Sequence, residues 1–285
     1  YTVDARSILG LYGLNLSEPI ELVFDSVYGN EEFLQKFDKW RVWLLKVTLI
    51  ANTPEPEKVI AASAKLCYSN SSIETLLDNL SEETYKDFLD KLPQAHQSPF
   101  EHVTFTFGIE GVSRTFLAQI TRHRIASFSV QSMRYVNLKD TFNYIIPPEI
   151  QDDEECLKLY NETIAREKWT YNTISNKLKE KYVLSGMSEI KAEKKAIEDA
   201  RFVLPNACET KMIVTMNIRS LYNFFTLRCC NNAQWEIRNV ANEMLKICKE
   251  ISPTLFKNAG ASCVRGKCPE GNKSCGKPII NWKDD

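Results

Sequence analysis

From Glu101 to Ile109 the apolar residues Val103, Phe105, Phe107 and Ile109 alternate with Thr104, Thr106 and Gly108. That period of two predicts a half-buried β-strand. The run Leu45-Lys46-Val47-Thr48-Leu49-Ile50-Ala51 predicts an earlier strand, and another is expected over Lys211 to Met216. Pro54 and Pro56 punctuate the entry into an apolar-periodic helix that runs through Cys67. Ser81, followed by Glu82 and Glu83, marks a second helix start, because carboxylates there favour the positive end of the helix dipole. Long helical patterns are expected over about 150–182, 188–203 and 233–251. Strands and helices interleave without a regular βαβ repeat, so the predicted class is α+β.

The pattern also divides the chain. Residues 1–43 read as a small unit with a helix-like Ala5 to Gly10, an extended Ile20 to Phe24 and a charged helix from Glu31 to Lys39. Fewer than about 45 residues rarely hold a core alone. The main domain is expected over 44–256, and 257–285 reads as a Cys/Gly/Lys-rich tail with little core-forming content. Among 285 residues, 36 cations and 37 anions give a net charge of −1, so bulk attraction to nucleic acid or an anionic membrane is not expected. The apolar runs Trp43-Leu44-Leu45 and Val47 to Ala51 fall far short of the roughly 18–20 residues that span a bilayer. No basic-apolar-small leader is visible, and nine Cys in a chain of this length favour reduced thiols in a cytoplasmic protein.

Charge matters locally. All three His lie between positions 96 and 123, and nine of the twelve Arg between 114 and 238. Arg122-His123-Arg124 sets two guanidiniums around an imidazole, a concentration that suits phosphate because each Arg can bond two oxygens. The segment Ile125 to Tyr135 then interleaves hydroxyls, an amide, Arg134 and aromatics, and reads as a loop able to meet a heterocycle as well as a phosphate. Downstream, a helix from Asn217 would put Arg219 and Asn223 on one face, with Ser220, Phe224 and Arg228 on the neighbouring row. Arg201 closes a helix ahead of Pro205. No GxGxxG or Walker A sequence occurs, which removes the two commonest nucleotide-binding designs.

Arg122-His123-Arg124, seven residues and then Ser132 resemble the RHRx7S signature of the flavin-dependent thymidylate synthases. The likeness extends in order to His96-Gln97-Ser98-Pro99-Phe100-Glu101-His102, Gln119, Ala200-Arg201 to Pro205, Asn217 to Asn223, Leu227-Arg228 and Ala233-Gln234-Trp235-Glu236-Ile237-Arg238, covering about Lys46 to Phe256. The resemblance implies that family's fold, a mixed sheet with long helices, here with a small N-terminal appendage. It also implies a cytoplasmic homotetramer, without nucleic-acid or membrane partners, that binds FAD between subunits and converts dUMP to dTMP. NADPH and methylenetetrahydrofolate are the implied co-substrates. By motif position His96, Ser98, Arg122, His123, Arg124, Asn217, Ile218, Arg219 and Asn223 would contact the flavin. Gln119, Arg122, Gln131, Ser132, Met133 through its backbone, Arg134, Arg201 and Arg228 would hold dUMP. Many members carry Asn-Glu where this chain has Ser129-Val130, so the carboxylate contact is lost and Val130 would contribute only backbone. Residues 1–43 resemble the C-terminal half of a histidine-containing phosphocarrier protein, with Ser7 at the regulatory serine; an unrelated α+β extension is the other reading, and no phosphotransfer is expected from either.

Methylating C5 of a uracil requires electron density there, and one route adds a thiolate at C6. The resemblance implies another, in which Arg228 polarises the pyrimidine as the catalytic residue and reduced flavin supplies hydride; a guanidinium at developing negative charge is preorganised electrostatic catalysis. Ser132 then reads as a binding hydroxyl. A zinc site of His96, His102 and His123 is the rival by residue type, opposed by Arg122 and Arg124 beside it, and an Arg/aromatic nucleic-acid surface is opposed by the neutral net charge. Cys263-x4-Cys268-x6-Cys275 lacks an evident fourth metal ligand and reads as part of a flexible reduced tail, so no metal is expected. Cys208, Cys229 and Cys230 lie near the expected site, and Cys is often only a small buried hydrophobe.

Overall fold

A computed structural model of the chain describes residues 45–91, 97–135 and 143–278. The 1–43 unit and His96 lie outside the described residues. Four strands form one sheet in the order β1-β2-β4-β3: β1 (Lys46–Asn52), β2 (Thr104–Ser113), β3 (Ala126–Val130) and β4 (Glu209–Asn217). Every pairing is antiparallel, where a mixed sheet was expected. The α+β class itself holds.

Register follows from burying one face. Phe105, Phe107 and Ile109 of β2 point inward beside Met216, Val214 and Met212 of β4, their direct partners. A one-residue slip would turn all six to solvent. The register shifts between Ile109 and Val112, where Gly111 adopts φ +70°, a left-handed conformation that costs glycine nothing.

Against the inner face pack α1 (Pro56–Leu66), α8 (Ile218–Arg228), α9 (Trp235–Ile251) and the short α10 (Pro253–Phe256). The small helices α2 (Ile73–Asp78) and α3 (Glu82–Lys91) flank α1, and α4 (Arg114–Ile120) continues directly from β2. Ser81 Oγ accepts the Thr84 N–H at 3.3 Å, the cap expected at the start of α3. After α5 (Pro148–Gln151) comes a 31-residue helix, α6 (Glu154–Leu184), and α7 (Glu189–Ala200) packs on it through a small cluster of Tyr171, Ile197 and Ala200.

Three local expectations change. Ser98–His102 is a 3-10 turn, so β2 begins only at Thr104. Ala126-Ser127-Phe128-Ser129-Val130, read as loop, is β3, with Ala126, Phe128 and Val130 packed on the core and the two Ser exposed. Hydroxyls on the solvent face concealed an ordinary period-2 pattern. The stretch after Phe256 is not a coreless tail: Ala259, Ala261 and Cys263 belong to the main core cluster, and Val264 is buried as well. Small side chains let this segment approach the helices closely.

Candidate active site

Ser220, Phe224 and Arg228 fall four residues apart on α8 and stack on one face, as the sequence predicts. Together they hold the 123–125 loop. Ser220 Oγ accepts the Ile125 N–H at 3.0 Å. The Phe224 ring meets His123 edge-on, with centroids 4.9 Å apart and planes at 87°. Arg228 Nε donates to His123 Nε2 at 2.9 Å.

That last bond fixes the protonation of His123. Its side chain is 7% exposed, and burial, with the Arg228 charge as second cause, pushes the imidazole down to about 4. At neutral pH the ring is uncharged, Nδ1 carries the proton and Nε2 is free to accept. Arg228 is itself pushed down, by burial first and by the Arg122 charge second, yet a guanidinium remains a cation. Among the described residues none of Arg122, Arg124 and Arg228 pairs with a carboxylate. Uncompensated guanidiniums beside a neutral acceptor make a ready site for an anion.

The neighbouring row of α8 faces a cleft of about 760 Å³, within the usual range for ligand pockets. Arg124, Asn217, Arg219 and Asn223 all line it, so four of the expected flavin contacts converge. Asn217 also caps α8, its Oδ1 accepting the Ser220 N–H at 2.8 Å. Arg219 is paired with Glu101 at the rim. The cleft carries four cations, Arg124, Arg219, Lys257 and Arg265, against the carboxylates of Asp90 and Glu101. Phe100, Tyr222 and Leu255 supply apolar wall. Tyr222 is clamped by a hydrogen bond to the Leu255 carbonyl and by stacking on Phe256.

Other expected residues lie elsewhere. Arg122 is exposed just beyond α4, Ser98 is exposed at the start of its 3-10 turn, and neither lines the cleft. The Ile218 side chain is core, and its N–H is spent on the Val103 carbonyl at 3.0 Å, so no side-chain contact with a cofactor can come from it. Val130 ends β3, half-buried opposite Met212. Gln131 N–H bonds the Lys211 carbonyl at 3.0 Å, extending the strand by one residue. Ser132 Oγ accepts the Arg134 N–H at 3.2 Å, and Met133 packs against the small cluster of Ile164 and Cys208. Arg134 reaches Glu198 at 2.8 Å, and Arg201 Nε bonds the carbonyl of that same Glu198 at 3.1 Å. Arg134 and Arg201 therefore meet at the end of α7, outside the cleft.

Gln119 Nε2 approaches Gln234 Oε1 at 3.4 Å, and that oxygen caps α9 through the N–H groups of Glu236 and Ile237. Glu236 turns inward at the start of α9. It is 1% exposed and accepts both the N–H and the hydroxyl of Ser113, each at 2.6 Å, joining the end of β2 to the start of α9. Burial raises its carboxyl and the two Ser113 bonds oppose that. Arg238 bonds the Asn231 and Ala233 carbonyls. Burial pushes the Cys208 and Cys229 thiols up to about 12, removing them as thiolates at neutral pH. Among the described residues no three His, Cys, Asp or Glu side chains converge as a metal site. Sequence reasoning missed Lys257 and Arg265 in the cleft. Both lie in the stretch read as tail, and Arg265 is held there by Thr226 Oγ1 at 2.8 Å and the Asn258 carbonyl at 3.2 Å.

Comparison with known proteins bears on the same residues. The family model described as thymidylate synthase complementing protein matches residues 48–254, a span that contains α8, the 122–124 loop and most of the cleft. A flavin-dependent thymidylate synthase of Clostridium tetani is 56% identical over 234 residues, 82% of this chain and 94% of that protein. Relatives of the same name from Geobacter sulfurreducens and Pyrococcus furiosus are 44% and 38% identical, covering 82% and 80% of this chain and 94% and 90% of their own lengths. The chain therefore belongs to the thymidylate synthase complementing protein family, the flavin-dependent thymidylate synthases.

Proposed function

We propose that this enzyme converts dUMP to dTMP with methylenetetrahydrofolate as one-carbon donor and NADPH as reductant, using FAD as its flavin. The observation that carries the reading is the two-sided use of α8, with one row lining a cationic cleft and the adjacent row holding a neutral His123 against Arg228. The donor set of the cleft fits FAD: guanidiniums suit its diphosphate, the Asn217 and Asn223 amides can match ring heteroatoms, and Phe100 and Tyr222 offer apolar surface. Arg124, Arg219 and Asn223 would hold the cofactor, with His96, Ser98, Arg122 and Asn217 completing the set. Bound flavin would supply hydride to the pyrimidine.

The chain's own contribution is binding and charge. Arg228, fixed in direction through its Nε, keeps its terminal nitrogens for a pyrimidine carbonyl and stabilises negative charge as it develops there. Gln119, Gln131, Ser132, Met133, Arg134 and Arg201 would complete the nucleotide site. Within one chain Arg134 and Arg201 stand outside the cleft, which supports a homotetramer whose sites are shared between subunits. Thiols raised to about 12 at Cys208 and Cys229 favour the hydride route over thiolate attack.

Arg228→Lys tests the assignment, because Lys keeps the charge and loses both the Nε donor and the planar fork. Flavin content and flavin reduction by NADPH should stay near the parent values, while single-turnover dTMP formation falls about 100- to 1,000-fold. Parent-like turnover would make Arg228 a structural cation. Failure of flavin reduction as well would place the defect in the cofactor site and overturn the division of roles.

A further inference from the structure

Four cysteines, Cys230, Cys263, Cys268 and Cys275, line one cavity of about 190 Å³ between the end of α8 and the last described segment. The other thiols do not line it. Cys208, Cys229 and Cys248 are buried, with thiols pushed up by burial, and Cys67 and Cys156 are exposed in α1's C-cap and in α6. A tetrathiolate metal centre would draw at least three sulfurs to a common point. No three of these side chains converge in that way, so the chemistry left to the cluster is that of two sulfurs.

The packing selects the pair. Asn232 Nδ2 bonds the Lys273 carbonyl at 2.8 Å, and Asn231 Nδ2 bonds the Lys277 carbonyl at 3.1 Å. These two bonds lay residues 273–277 along residues 231–232, and Cys275 is the midpoint of the pinned stretch. Its Sγ is also met by Asn231 Nδ2 at 3.8 Å and by the Lys277 N–H at 3.4 Å. The sulfur of Cys275 is thus held against the residue that follows Cys230. Cys263 is buried, and no comparable hydrogen bond ties Cys268 or its neighbours 267–269 to residues 230–232. Both Cys230 and Cys275 are only half-buried, so a small oxidant can reach them.

We propose that Cys230 and Cys275 are a redox-active pair that forms a reversible disulfide and fastens the C-terminal segment to the end of α8. The oxidant is a small-molecule disulfide such as oxidised glutathione. One cysteine attacks it to give a mixed disulfide and one glutathione thiol, and the second cysteine then displaces the other glutathione. The two cysteines together lose two protons and two electrons, one S–S bond forms in the protein, and the S–S bond of glutathione is reduced to two thiols. In a reducing compartment such a bond is transient and reports the local poise.

The test uses the full chain equilibrated with oxidised glutathione, alkylated and digested with trypsin without reduction. A linked pair of peptides 229–238 and 274–283 should appear, two hydrogens lighter than their sum, and vanish with dithiothreitol. Fragmentation distinguishes Cys230 from its neighbour Cys229. In Cys275→Ser the linked pair should be lost and Cys230 should carry glutathione instead; circular dichroism matching the parent rules out misfolding as the reason. A cross-link from Cys230 to Cys263 or Cys268, or separate glutathione adducts on Cys230 and Cys275 in the parent protein, would overturn the assignment.

Discussion

Replacing His123 with Leu should cost stability in two separable ways. At neutral pH the substitution removes the acceptor that Arg228 Nε reaches at 2.9 Å, and a donor left without its partner in a half-buried site costs about 1–3 kcal/mol. The second effect is on pH dependence. Native His123 titrates at about 4 against an ordinary value of 6.5, chiefly through burial. Between those values the unfolded chain binds a proton that the native imidazole refuses, so stability is full above about 6.5 and falls as pH drops toward 4. Over that window, at about 1.4 kcal/mol per pH unit, the ceiling is about 3 kcal/mol, and solvent screening at the rim reduces the expected loss to about 1–2 kcal/mol. Urea denaturation at pH 7.5 and pH 4.5 reads both terms. His123→Leu should be weaker than the parent at pH 7.5 and should lose less on going to pH 4.5. His123→Gln, whose amide oxygen can accept from Arg228, should recover part of the first term and none of the second. Parent-like stability of His123→Leu at pH 7.5, or an unchanged pH difference, would refute a neutral His123 holding Arg228.

Two further outcomes follow from buried groups. Glu236→Gln trades one of the two acceptors for Ser113 for an amide donor, so chemical denaturation should show a loss of about 1–3 kcal/mol; unchanged stability would mean that the native side chain is already protonated. Cys208→Ala and Cys229→Ala should keep dTMP formation within a few-fold of the parent, since a thiol at about 12 is only about one part in 10⁵ thiolate at pH 7. Abolished turnover in either variant with flavin still bound would revive thiolate attack.

The sequence by itself determined what depends on period and on local chemistry. Phe105, Phe107 and Ile109 announced β2, the i, i+4 spacing of Ser220, Phe224 and Arg228 put them on one face, and Ser81 announced a helix start; each of these is fixed by backbone geometry within a few residues. The resemblance carried by Arg122-His123-Arg124 and Ser132 was legible for the same reason, because the motif is contiguous. What needed the tertiary structure was every relation between distant segments. That Glu236 meets Ser113 depended on the end of β2 reaching the start of α9, 123 positions apart. Lys257, Arg265 and the small residues from Ala259 to Val264 looked like tail because their partners in the core and cleft are remote in sequence. The state of His123 was decided there too: a histidine between two arginines reads as part of a basic loop, and only burial against Phe224 and Arg228 makes it a neutral acceptor, because desolvation and a neighbouring cation both disfavour its charged form.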